Sequence, residues 1–88
     1  MANTASAIKR VRQEARRRAR NHAAKSRMRT FIKSANEAIM QGDHDLAAEA
    51  VKTAISEIDR AASKGVIHSN KASRTKSRLM LRFNGLSG

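Results

Sequence analysis

The chain has 88 residues and carries 19 Lys and Arg against seven Asp and Glu, which gives a formal net charge of +12 at pH 7. The absence of cysteine excludes disulfides and Cys-ligated metal sites, and two aromatic residues are too few for the base-stacking platforms of single-strand binders. Because no apolar run approaches the roughly 18 residues of a membrane span and none forms a signal peptide, we expect a cytoplasmic protein.

The cations are concentrated in the two ends of the chain. Residues 1–33 hold eleven basic residues and one acid, and residues 34–63 hold two basic residues and six acids. Residues 64–88 hold six basic residues and no acid, so the three segments carry +10, −4 and +6. Since the terminal segments lack the acids that would neutralise them, this pattern predicts binding to a polyanion, most often a nucleic acid.

Helices are the only regular structure that the composition predicts. The sequence has no proline and four glycines, and it is rich in alanine, arginine and lysine, which are good helix formers. Gly42 and Gly65 mark two helix ends, because glycine adopts the left-handed conformation at little cost. We therefore predict helices at about residues 4–41, 44–63 and 69–85.

The first helix changes character along its length. Residues at helical spacing predict a core-facing stripe in its second half: Ala24, Met28, Phe31, Ile32, Ala35 and Ile39. Traced back toward the N-terminus, the same face carries Asn21, Arg17 and Arg10, while the small apolar residues from Ile8 to Ala19 lie on roughly the opposite side. Residues 1–23, which we call the basic arm, are therefore predicted to project from the bundle by about 30 Å.

The second helix has an apolar stripe and an acidic face. Asp43 is the predicted N-cap of this helix. The stripe consists of Ala47, Ala50, Val51, Ala54, Ile58 and Ala61. The acids are predicted to face outward, away from the polyanion: Asp45, Glu49, Glu57 and Asp59. Arg60, on the same helix, is not expected to contact the polyanion.

The third helix is predicted to pack one apolar face on the bundle: Ala72, Leu79, Phe83 and Leu86. Any of His68, Ser69 and Asn70 could cap its start, and Leu81 lies opposite the apolar face without a predicted partner. Met28, Met40 and Met80 are predicted to fill the core of the molecule. Three one-sided helices with short connections predict an all-α, antiparallel three-helix bundle over residues 24–86, within a single domain of residues 1–88.

Two sets of basic residues are candidate phosphate ligands. The first surrounds most of the N-terminal half of the first helix: Lys9, Arg10, Arg12, Arg16, Arg17, Arg18, Arg20, Lys25, Arg27 and Arg29. Like charges at i,i+4 in this set destabilise the free helix by about 0.2–0.5 kcal/mol per pair, so we expect a polyanion to order it. The second set forms a stripe on the third helix: Lys71, Arg74, Arg78 and Arg82.

The sequence predicts no catalytic site, metal site, cofactor or small-molecule substrate. His22, His44 and His68 fall in different elements, without clustered carboxylates beside them. Asp43 and Asp45 form a carboxylate pair, but a helix start uses acids at both positions. His68 could contact RNA or orient the entry into the third helix.

A set of ordered motifs resembles the bacterial small-subunit ribosomal protein S20 family. The motifs are Met1-Ala2-Asn3 with Ser6-Ala7 and Lys9-Arg10, Arg20-Asn21, Lys25 to Thr30, Gly42-Asp43, Lys64 to Asn70, Ala72-Ser73-Arg74, and Lys76-Ser77-Arg78-Leu79. The resemblance spans nearly the whole chain. It implies a three-helix bundle with a long first helix, present as a monomer in the ribosome and bound early in assembly to small-subunit ribosomal RNA. The implied contacts lie in the 5′ domain of that RNA and in the long penultimate helix near its 3′ end.

The resemblance also implies RNA contacts by the residues that match the family's motifs. These are Lys9, Arg10, Arg17, Arg18, Arg20, Asn21, Lys25, Arg27, Arg29, His68, Asn70, Arg74, Lys76 and Arg78. Ser69 departs from the pattern, because family members often carry Lys there, and one phosphate contact is lost with that charge.

The leading hypothesis is a non-catalytic constituent of the small ribosomal subunit that neutralises phosphates of several RNA helices and holds them together during assembly. One alternative is a nucleoid-type DNA-binding protein, against which chiefly the motifs argue. The other is a basic amphipathic module that binds an acidic protein or an anionic membrane, although the arm lacks the broad apolar face that membrane binding requires.

Overall fold

The computed structural model describes residues 4–87 and consists of three helices: α1 (Ala5–Gln41), α2 (His44–Ser63) and α3 (Ser69–Ser87). The predicted number, order and type of the elements are confirmed, and α3 runs two residues beyond its predicted end. The motif Met1-Ala2-Asn3, at the start of the basic arm, lies outside the described residues. None of the three helices in residues 4–87 combines the length and apolar character needed to span a bilayer.

The turn between α1 and α2 is built as the sequence predicts. Gly42 has φ 81°, and its N–H donates to the Ile39 carbonyl at 3.1 Å, which ends α1. Asp43 Oδ1 accepts from the Leu46 N–H at 3.2 Å, so the predicted N-cap of α2 is confirmed. These two contacts reverse the chain direction within a few residues and set α2 antiparallel to α1.

The end of α2 is closed by a Schellman motif centred on Gly65, whose φ is 75°. The Gly65 N–H donates to the Ala62 carbonyl at 3.0 Å, and the Val66 N–H donates to the Ala61 carbonyl at 2.9 Å. Val66 also packs against the core cluster that contains Ala61. Two carbonyls of the last turn of α2 are therefore satisfied within the backbone.

The core consists of two clusters stacked along the bundle. The cluster nearer the α2–α3 turn contains Met28, Ile58, Ala61, Ile67 and Ala72. The cluster nearer the α1–α2 turn contains Ala35, Val51, Ala54 and Leu79, with Phe31 and Phe83 packed against them. Each buried residue of α1 and α2 in these clusters belongs to a stripe that the sequence predicts. Ala38, which is outside those stripes, is also buried.

Two predictions about the core are wrong. Of the three methionines that were predicted to fill the core, only Met28 is buried, since Met40 is 86% exposed and Met80 is 37% exposed. Met40 lies two residues after Ala38, about 200° around the helix from that buried position.

Glu57 does not face outward but is only 9% exposed. It lies three residues after Ala54 and four before Ala61, and it therefore shares their buried face.

The N-terminal half of α1 extends beyond the other two helices. Every residue from Ile8 to Arg20 is exposed, and continuous burial along the core face starts with the half-buried Asn21 and Ala24. Ile8 and Val11, the largest apolar residues of this segment, are 46% and 66% exposed. The molecule consequently measures 64 × 21 × 14 Å, and much of the length belongs to α1.

Candidate nucleic-acid interface

The arm carries seven of the predicted RNA contacts on one exposed stretch of α1. These cations are Lys9, Arg10, Arg12, Arg16, Arg17, Arg18 and Arg20. None of them forms an ion pair with another residue in the described range 4–87. Glu14 is the one acid among them, so most of the positive charge cannot be neutralised within the segment. Lys25 and Arg29 continue the set past the arm and have no ion-pair partner among the described residues either.

Arg27 differs from its neighbours because it is paired with a buried acid. Its Nε donates to Glu57 Oε2 at 3.2 Å and its Nη2 donates to Oε1 at 3.4 Å. The guanidinium also lies 5.5 Å from the centroid of the Phe31 ring. The Arg27 side chain is 60% exposed and that of Glu57 is 10% exposed. Arg27 therefore links α1 to α2, and Glu57 already compensates part of its positive charge.

The basic stripe of α3 contains both free and engaged cations. Three of its residues are exposed and have no ion-pair partner among residues 4–87: Lys71, Arg74 and Arg78. Arg82 Nη1 donates to Asn36 Oδ1 at 2.9 Å, which links α3 to α1. Lys76 lies on the other side of the apolar face from the stripe and donates to Asp59 Oδ1 at 2.7 Å, which links α3 to α2. The free cations thus lie in the N-terminal half of α3.

His68 occupies the cap position of α3, which the sequence left open among three residues. Its carbonyl accepts from the Ala72 N–H at 3.1 Å, and its Nδ1 accepts from the Asn70 N–H at 3.0 Å. Because Nδ1 is the acceptor, the neutral ring carries its proton on Nε2. His68 is exposed, so this Nε2–H can donate to a ligand while the cap remains intact.

The structure also contains a basic groove that the sequence did not predict. It has a volume of about 820 Å³ and lies between residues 17–27 of α1 and residues 57–66, at the end of α2 and in the turn that follows it. Five cations and one acid line it: Arg17, Arg20, Arg27, Arg60, Lys64 and Glu57. Part of the groove could have been found in the sequence. The i, i+3, i+7 spacing places three of its residues on one side of α2: Glu57, Arg60 and Lys64.

The histidines and the acids of α2 were the remaining candidates for a metal site. Among residues 4–87, no three His, Cys, Asp or Glu side chains are grouped so that they could hold a metal ion. The His44 ring lies 5.0 Å from the Phe83 ring, and its Nδ1 lies 3.8 Å from Asp45 Oδ1. These contacts are consistent with packing at the start of α2.

The sequence is similar to a well-defined family of proteins over nearly its whole length. A family model described as ribosomal protein S20 matches residues 2–84. The chain is 59% identical to the small ribosomal subunit protein bS20 of Gluconobacter oxydans, with 99% of this chain and 98% of that protein covered. It is 57% identical to the bS20 protein of Nitrosomonas eutropha, over 90% of this chain and 91% of that protein. For the bS20 protein of Rhizobium meliloti the identity is 55%, with 99% of both chains covered.

Proposed function

The chain belongs to the ribosomal protein S20 family, and we propose that it binds small-subunit ribosomal RNA directly through phosphate contacts and holds RNA helices together during assembly. As a family member it is a structural constituent of the small ribosomal subunit and not an enzyme. The observation that carries the binding mode is the run of seven exposed arm cations that have no acid partner among residues 4–87. Their counter-charges have to come from outside the protein, and RNA supplies them at regular intervals.

The predicted contacts divide into two groups by what each side chain already does. The free cations and the polar residues beside them are proposed to bind RNA directly: Lys9, Arg10, Arg12, Arg16, Arg17, Arg18, Arg20, Asn21, Lys25, Arg29, His68, Asn70, Lys71, Arg74 and Arg78. Arg27, Lys76 and Arg82 are proposed to contact RNA more weakly, since each already bonds a side chain of another helix. Base readout should be minor, because the major groove of A-form RNA is too narrow for side chains.

The proposed partner segments are the 5′ domain of the RNA and the long penultimate helix near its 3′ end. The motif resemblance supports this choice. The shape of the molecule is compatible with it, since a body 64 Å long can reach RNA helices that are distant in sequence. We also propose that residues 1–23 act as the projecting arm and residues 24–86 as the bundle of one domain, present as a monomer.

Crosslinking in cells, followed by sequencing of the attached nucleic acid, tests the proposal. We expect reads from small-subunit ribosomal RNA, concentrated in the two proposed segments. A triple variant, Arg16→Ala, Arg17→Ala and Arg18→Ala, should recover far fewer reads, whereas Lys52→Ala on α2 should match the wild type. Reads dominated by chromosomal DNA would overturn the proposal in favour of the nucleoid alternative.

A further inference from the structure

The groove beside the arm concentrates positive charge from two helices. Arg17 and Arg20 line it from α1, while Arg60 and Lys64 line it from the end of α2. Glu57 is the one acid in the lining, and it is already held by Arg27 through two hydrogen bonds. With five cations and one acid, the lining carries a net charge of +4.

The apolar part of the groove lining increases the effect of these charges. It consists mainly of small side chains: Ala23, Ala24 and Ala61. A cleft with apolar walls and charges of one sign focuses its field on a bound counter-ion. The C-terminus of α2 opposes this positive field, because its carbonyls carry a partial negative charge equivalent to about half an elementary charge. Two of those carbonyls accept the N–H groups of Gly65 and Val66, so the cationic side chains dominate.

Asn21 adds a neutral polar group to this setting. It is half-buried in the groove lining, and its side-chain amide has no hydrogen-bond partner among residues 4–87. An amide both donates and accepts, and so does the 2′-hydroxyl of a ribose. A basic groove with one such amide is therefore suited to a sugar-phosphate backbone that carries 2′-hydroxyls.

We propose that this groove binds the RNA sugar-phosphate backbone, with Arg60 and Lys64 as phosphate ligands opposite Arg17 and Arg20, and with Asn21 bonded to a 2′-hydroxyl. The inference rests on the proposed function and extends the interface to α2, the helix that the charge pattern assigned to the side away from RNA. Residues of the arm and residues at the end of α2 would then contact one RNA strand from two sides.

Binding of a fluorescently labelled small-subunit ribosomal RNA transcript tests the inference. Arg60→Ala and Lys64→Ala should each weaken binding about fourfold at 0.15 M salt, which is the counterion-release effect of one lost phosphate contact. Lys52→Ala is the matched control, because Lys52 is an exposed cation of α2, outside the groove lining, about 12 Å along the helix from Arg60. If both groove variants bind like Lys52→Ala, the inference is wrong.

Two further measurements keep the outcome unambiguous. Arg60 Nη1 lies 3.8 Å from Glu57 Oε1, so a variant at this position could act through stability. If Arg60→Ala lowers the melting temperature, Lys64→Ala decides, since Lys64 forms no ion pair among residues 4–87. Asn21→Ala should reduce the preference for an RNA duplex over the DNA duplex of the same sequence, and an unchanged preference would contradict the role of Asn21.

The binding measurements distinguish a wrong groove inference from a wrong proposed function. If Arg17→Ala weakens RNA binding while Arg60→Ala and Lys64→Ala do not, the groove is not a binding site and the phosphate-binding arm remains. If the wild-type protein binds the ribosomal transcript no better than duplex DNA of equal length, the proposed function itself is wrong, and the groove inference falls with it.

Discussion

Arg17 and Arg27 are both exposed arginines of α1, but only Arg27 has a carboxylate partner. Arg27→Ala removes two hydrogen bonds to a carboxylate that is 10% exposed, with only Arg60 left nearby. We expect the free energy of unfolding to fall by about 1–2 kcal/mol, because a buried charge loses its charged donor. Urea denaturation followed by circular dichroism measures this change.

Arg17→Ala is the control for that experiment. Its side chain has no ion-pair partner in the described chain, so the free energy of unfolding should stay within about 0.5 kcal/mol of the wild type. For RNA binding we expect the opposite order. Arg17→Ala should weaken the affinity for RNA more than Arg27→Ala does, and by more than its small effect on stability explains. Equal stability of the two variants would mean that the Arg27–Glu57 pair contributes nothing to the fold.

Leu79 and Leu81 provide a second matched pair on α3. Leu79 is 2% exposed in the cluster with Ala35, Val51 and Ala54, whereas Leu81 is 70% exposed. Leu79→Ala should lower the free energy of unfolding by about 2–4 kcal/mol, through lost burial and a residual cavity. Leu81→Ala should leave it unchanged. Thermal and urea denaturation of both variants measures the difference. Similar free energies of unfolding would show that α3 packs on the bundle through another face.

At the residue scale, sequence reasoning succeeded where one residue type has one structural use and failed where it has two. A glycine followed by an aspartate between two helical segments is typical of a helix end and a helix start. Gly42 and Asp43 were therefore correctly predicted to end α1 and to cap α2. An acid such as Glu57 can face solvent or pair with an arginine, and its spacing from Ala54 and Ala61 indicated the buried face. Its partner comes from another helix and is 30 residues away in sequence, so composition alone could not identify the pair.

At the element scale, the helices could be predicted because caps, glycines and apolar spacing agree with one another. The cap of α3 could not, since His68, Ser69 and Asn70 are each suited to the role, and only the Nδ1 contact of His68 identifies it. The basic groove could not be predicted either. It depends on how far α1 extends past the end of α2, which follows from the packing register between the helices.

The two halves of α1 should differ in local stability in the RNA-free protein. Residues 8–20 are exposed throughout, whereas Met28 and Ala35 are buried against α2 and α3. Without tertiary packing, a segment with repeated like charges at i,i+4 opens readily. We expect rapid hydrogen exchange before about Ala24 and protection after it. Uniform protection along α1 would show that the arm is stabilised by contacts within the free protein.

At the scale of the whole molecule, removal of residues 1–20 should separate RNA binding from folding. The segment holds seven cations, and none of its described residues, 4–20, belongs to either core cluster. If about four of the seven reach phosphates, affinity at 0.15 M salt should fall by about 10²-fold. The melting temperature of the bundle should change little. A large fall in melting temperature would mean that the arm supports the bundle after all.

The affinity of the intact protein for RNA should depend steeply on salt. Sixteen cations lie in the two basic regions if Lys33 is left out, and two of these, Arg27 and Lys76, are paired with acids of α2. The positive surface follows an elongated body, so about half of the remaining cations can reach phosphates together. Each contact contributes about 0.7–0.9 to the slope of log affinity against log salt concentration, which gives a slope of roughly −5 to −6.

Single substitutions should change that slope in small and position-dependent steps. Arg17→Ala should reduce it by somewhat less than one, because neighbouring arm cations partly substitute for the lost charge. Arg27→Ala should reduce it less than Arg17→Ala, since the Arg27 charge is already shared with Glu57. Lys52→Ala, on the far part of α2, should leave the slope unchanged. A wild-type slope near −2 would contradict the phosphate-contact mechanism, because shape or base contacts would then have to supply most of the affinity.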